Sequence, residues 1–135
     1  MKKKLVTVYG SLLEGFGNWR YHLNNSSSVK LGEHLLEGPY KMVSFGGFPG
    51  LIVDESLTSK VFVETYEVTE DVYRSIERLE GFHEQDSPHN FYNKRAVETP
   101  FGKSEVYIIE RSDSDRNLVP IDEDGVINWR KYKTR

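Results

Sequence analysis

The segment Lys4-Leu5-Val6-Thr7-Val8-Tyr9-Gly10-Ser11-Leu12 runs an alternating apolar strand straight into a glycine turn. A period of two sends Leu5, Thr7 and Tyr9 to one face and Val6 and Val8 to the other. Gly10 can adopt backbone angles closed to other residues. The amides of Gly10, Ser11 and Leu12 are therefore expected to converge on one concavity. Such a concavity suits a carboxylate or a developing oxyanion. Many strands end in Tyr-Gly or Gly-Ser and simply turn. The segment gains weight from a second element, Leu79-Glu80-Gly81, which sets an acid where a reacting carboxyl is expected.

That acid ends a predicted helix. Thr69-Glu70-Asp71 opens it with a hydroxyl cap followed by acids that suit the positive end of the helix dipole. Val72, Ile76 and Leu79, with Tyr73 and Glu80, form its inward stripe, and Gly81 stops it. The preceding strand, Lys60 to Val68, carries Glu64 on the same face as Phe62, Tyr66 and Val68. Glu64 is open to three readings: a second buried acid, a ligand for a substrate ammonium, or a carboxylate on a strand edge. The edge, or a structural ion pair, is the commoner outcome for such a residue.

The rest of the chain supplies strands and connections. Residues 12–28 read as a long loop with one helical turn, and 29–53 as short strands broken by Gly38-Pro39, Gly46-Gly47 and Pro49-Gly50. A polar surface loop at 82–90 precedes a hairpin. The hairpin runs from Phe91 to Glu98, turns at Thr99-Pro100-Phe101-Gly102, and returns from Lys103 to Ile109. A charged tail from Arg111 is poorly patterned until Val126-Ile127-Asn128-Trp129, and Asp122-Glu123-Asp124 reads as a solvated turn. Many short strands around one main helix predict an α+β fold with a small, mixed, barrel-like sheet. A single domain is expected over residues 1–135.

Composition narrows the function classes. Hydrophobic residues make up 37% and aromatics 13%, enough for a folded core. The net charge is only -3 with no basic stripe, which argues against a nucleic-acid partner. The absence of cysteine excludes disulfides, thiolate metal sites and a cysteine nucleophile. His22, His34, His83 and His89 show no metal-ligand spacing. Ser11 has no paired His-Asp arrangement and is better read as a backbone donor. Met1-Lys2-Lys3-Lys4 resembles the charged front of a signal peptide, but its apolar stretch is too short. No span approaches membrane length. A cytoplasmic protein is expected, with no membrane partner and a monomer by default.

Taken together these elements resemble the γ-glutamylcyclotransferase-like family, which includes the γ-glutamylamine cyclotransferases and AIG2-like proteins. The matching points, in order, begin with Val8-Tyr9-Gly10-Ser11-Leu12, Gly15 and Asn18. They continue through Leu36 to Met42, Gly46-Gly47-Phe48-Pro49-Gly50-Leu51 and Glu64-Thr65-Tyr66-Glu67-Val68. The last are Ile76 to Gly81, Phe91-Tyr92 and Val106-Tyr107-Ile108. Three positions depart from the family pattern. Val63 stands where a glycine is frequent, Glu77 where an aspartate is, and Tyr92 is followed by Asn93-Lys94 with Arg95 one position late.

The resemblance implies an internal cyclisation of a small γ-glutamyl compound, in which its free α-amine attacks its own γ-carbonyl. An amine leaves and 5-oxoproline remains; neither metal nor cofactor is implied. It assigns Glu80 as the general acid/base and Tyr9, Gly10, Ser11, Leu12 and Tyr92 as substrate-binding residues. One carboxyl can serve both proton transfers if partial burial raises its pKa toward the working pH. The alternative is a non-catalytic module that binds a small carboxylate on the same fold. A further option is an interaction protein that uses loops 12–28 and 82–90.

Overall fold

The computed structural model describes residues 3–84, 87, 90–109 and 117–134. His89 and the first part of the charged tail lie outside the described residues. The elements are β1 (Lys3–Val8), α1 (Gly17–His22), β2 (Ser28–Gly38), β3 (Tyr40–Ser44), β4 (Pro49–Val53) and β5 (Ser59–Thr69). After them come α2 (Glu70–Leu79), β6 (Asn93–Thr99), β7 (Gly102–Ile108), β8 (Val126–Ile127) and α3 (Trp129–Thr134). The fold is α+β, as the sequence predicts. Its main sheet is mixed and open, in the order β2-β5-β1-β7-β6, with β8 added to β5; β3 and β4 form a separate hairpin. β1 runs parallel to β7 and β8 parallel to β5, while the other pairs are antiparallel.

The central place of β1 explains a departure from simple alternation. With β5 on one side and β7 on the other, Val6, Thr7 and Val8 are all buried. Both faces of such a strand are covered, so a polar residue there needs internal partners. Thr7 has them: its hydroxyl bonds Thr65 Oγ1 at 2.8 Å and Ser104 Oγ at 2.9 Å. The region after the first loop also differs from expectation. β2 is one strand of 11 residues, with a register shift between Lys30 and Gly32 where shorter pieces are predicted.

Topology sets where α2 ends. Thr69, the last residue of β5, pairs with Lys3 at the start of β1, and α2 begins at the next residue. The helix turns back and packs Val72, Tyr73 and Ile76 against the core. Its ten residues advance about 15 Å, close to the ~20 Å that six residues of β1 span. The end of the helix therefore arrives beside the end of β1. Thr69 occupies the N-cap position without a side-chain cap hydrogen bond. Leu79, the last residue of the helix, departs from the predicted inward stripe: it is 37% exposed.

Candidate active site

Two chain reversals build the site. Past β1, the Gly10 carbonyl accepts the Leu13 amide at 2.9 Å and closes a turn. The Ser11 and Leu12 amides lie inside that turn and donate to no other described residue. Gly10 is not in the left-handed region, contrary to expectation. Glycine is required there for a different reason: a Cβ would come 2.5 Å from the Pro49 ring. At the end of α2 the chain does use the left-handed region, with Gly81 at φ 66°. The Gly81 amide bonds Arg78 O at 3.2 Å and the Phe82 amide bonds Glu77 O at 2.9 Å, which satisfies the last carbonyls of the helix. Glu80 is the residue at which the helix stops.

The two reversals face each other across one pocket of about 260 Å³. All six residues singled out from the sequence, Tyr9, Gly10, Ser11, Leu12, Glu80 and Tyr92, line it. Glu80 is partly buried, no cation or hydrogen-bond donor among the described residues reaches its carboxyl, and desolvation alone pushes its pKa up to about 8. A carboxyl in that state takes up and releases protons near neutrality. Negative charge at Glu80 also reinforces the effect of burial in raising the phenols of Tyr9, Tyr92 and Tyr107.

Neither Tyr9 nor Tyr92 has its hydroxyl proton free for a ligand. Tyr9 donates to Tyr107 O at 2.7 Å and accepts the Leu51 amide at 3.1 Å. Tyr92 donates to Pro49 O at 2.6 Å. Both rings wall the pocket while their hydroxyls tie β1 and the segment before β6 to the β3–β4 hairpin. Tyr107 and Phe91 are among the lining residues that the sequence reading does not assign to the site. The only signal for Tyr107 was its presence in Val106-Tyr107-Ile108. At the rim, Phe45 stacks on Phe48 with ring centroids 5.3 Å apart, and the edge of Phe91 meets both.

Glu64 does not line this pocket, although it acts on the neighbouring chain segment. It is fully buried, and Oε1 accepts the Glu14 amide at 2.8 Å and the Tyr66 hydroxyl at 3.0 Å. Oε2 accepts Arg130 Nη2 at 2.9 Å, with Lys30 Nζ at 3.7 Å. Arg130 Nη1 also donates to Glu14 O at 2.7 Å. β5 lies between β2 and β1, so Glu64 is not on a strand edge, and the structural ion pair is the reading the geometry supports. It pins the chain just after the Gly10 turn to β5 and α3. The departures from the family pattern are accommodated: Val63 is a fully buried core residue, and Glu77 pairs with Lys94.

The family model for gamma-glutamyl cyclotransferase, AIG2-like, matches residues 6–130, and the chain belongs to that family. It is 30% identical over 115 residues to a Vibrio cholerae protein provisionally named a gamma-glutamylcyclotransferase, covering 85% of this chain and 90% of that one. Among solved structures, a uropathogenic Escherichia coli-specific protein superposes with a TM-score of 0.71 at 18% identity, covering 98% of this chain and 97% of that one. A mouse AIG2-like protein superposes with a TM-score of 0.63 at 22% identity, covering 84% and 83%. These two structures are similar in fold. No helix among the described residues is long and apolar enough to cross a membrane.

Proposed function

We propose that this protein converts a small γ-glutamyl compound into 5-oxoproline and a free amine, with Glu80 as the proton carrier. The observation that carries the reading is a desolvated carboxyl, unpaired among the described residues, facing the amides of a tight turn across one pocket. Binding holds the γ-glutamyl group folded, which converts the reaction into an oriented intramolecular attack worth roughly 7–11 kcal/mol of barrier. Glu80 takes a proton from the attacking α-amine as the new C–N bond forms. It returns that proton to the departing nitrogen as the γ-amide bond breaks. The Ser11 and Leu12 amides supply donors for an anionic oxygen of the substrate.

The pocket rim supports a γ-glutamylamine with an apolar body. Phe45 and Phe48 are each more than a third exposed, and Phe48 and Phe91 continue into the lining. An aromatic or alkyl leaving group would cover that surface. The test is to incubate purified protein with γ-glutamyl-benzylamide, γ-glutamyl-methylamide and γ-glutamyl amino acids and to quantify 5-oxoproline. Release is expected, fastest from the benzylamide. Failure to release 5-oxoproline from any of them, alongside tight binding of 5-oxoproline itself, would favour the non-catalytic binding module.

A further inference from the structure

Four buried tyrosines in this fold give their hydroxyl proton to an acceptor: Tyr9 donates to Tyr107 O, Tyr66 to Glu64, Tyr73 to Glu105 and Tyr92 to Pro49 O. Tyr107 differs from these four. Its side chain is 4% exposed, and its hydroxyl oxygen has no hydrogen-bond partner among the described residues. A buried hydroxyl without a partner is a cost to the fold and calls for an explanation.

The position of Tyr107 supplies one. The residue lies on β7, paired with Lys94 of β6, and it lines the same pocket as Glu80. Phe82 and Tyr92 each meet its ring nearly at right angles, at 76° and 79°, with centroids 6.4 Å away. The ring is thus held by packing, and its backbone carbonyl is held by Tyr9. Burial, followed by the nearby Tyr73, Glu80, Glu77 and Glu105, keeps the phenol protonated. What remains is a rigid donor with its proton available.

We propose that Tyr107 is a substrate-binding residue whose hydroxyl donates to the γ-carbonyl oxygen of the bound γ-glutamyl group. The choice of oxygen follows from the surroundings. An α-carboxylate at this point would bring a full negative charge toward Glu80 and Glu105, whereas the charge of Glu77 is already met by Lys94. An amide carbonyl brings none. The α-carboxylate is better placed on the amides of the Gly10 turn, which line the same pocket. Glu80 is then left beside the two nitrogens that exchange the proton. This assignment rests on the cyclotransferase reading for the identity of the ligand, while the need for a ligand oxygen comes from the unpartnered hydroxyl.

Tyr107→Phe separates this role from a structural one, because it removes only the hydroxyl. If the hydroxyl serves the substrate, the variant keeps or raises the melting temperature. It also lowers kcat/KM for γ-glutamyl-methylamide and weakens 5-oxoproline binding, each by about tenfold. A lowered melting temperature would show that the hydroxyl serves the fold and would overturn the proposal. So would 5-oxoproline binding equal to wild type, whatever the turnover. If wild type binds 5-oxoproline but turns over no γ-glutamyl compound, the catalytic reading fails; the binding comparison still decides the role of Tyr107. If wild type does not bind 5-oxoproline at all, both fall.

Discussion

Two glutamates lie at the edge of the same loop and have opposite surroundings. Glu64 is fully buried and meets two donors on one oxygen and the Arg130 guanidinium on the other. Glu80 keeps some exposure to the pocket and has none of these partners among the described residues. A carboxylate with matched donors is a structural joint, because every lone pair already has a use. A carboxyl without them is desolvated at no gain to the fold and becomes reactive. For the proposed reaction, depth of burial alone would rank the two the wrong way round, whereas partnership ranks them as that proposal requires.

The largest expected difference between the two is in turnover. Glu80→Gln is predicted to lower 5-oxoproline release by about 10²–10⁴-fold, the range for loss of a general acid/base, while circular dichroism stays native. The same variant should change the pH dependence of stability. The folded pKa of Glu80, about 8, lies above its ordinary 4.5, so the folded protein holds this proton more tightly than the unfolded chain. The stabilisation from that proton is complete below 4.5 and is lost as pH rises through about 8. Melting curves across that window should fall less steeply for Glu80→Gln than for wild type.

Glu64→Leu should do the reverse, with its main effect on the fold. It leaves the Glu14 amide, the Tyr66 hydroxyl and Arg130 without their acceptor. The side chain of Arg130 is 36% exposed, so the cost falls at the low end for a broken buried pair, about 3 kcal/mol by urea denaturation. The smallest effect belongs to Lys30→Met. Lys30 sits 3.7 Å from Glu64 and also bonds the exposed acids Glu14 and Glu33. Its removal should cost less than about 1 kcal/mol. A larger loss would mean that Lys30, and not Arg130, is the cation that holds Glu64.

What could be read from the sequence follows the range of the interactions. The position of Glu80 was legible because helix periodicity and a terminal glycine are local signals, and the strand before Gly10 was legible for the same reason. The clamp on Glu64 was not. Arg130 lies 66 residues away, beyond a tail with little pattern, and only the fold brings it near. Gly10 was read through its backbone freedom, whereas its real constraint is the Pro49 ring from a distant hairpin. Tyr107 was hidden for another reason. Tyr9, Tyr66, Tyr92 and Tyr107 all sit on or beside strands, and nothing local tells which hydroxyl will lack an acceptor.

The proposed chemistry depends most on the electrostatic state of one side chain, which can be followed directly. Carbon-13 NMR of protein labelled at the glutamate carboxyl, with Glu80→Gln to assign the signal, gives the titration of Glu80. The expected result is a midpoint near 8. A midpoint near the ordinary 4.5 would place that carboxyl in water and contradict the account.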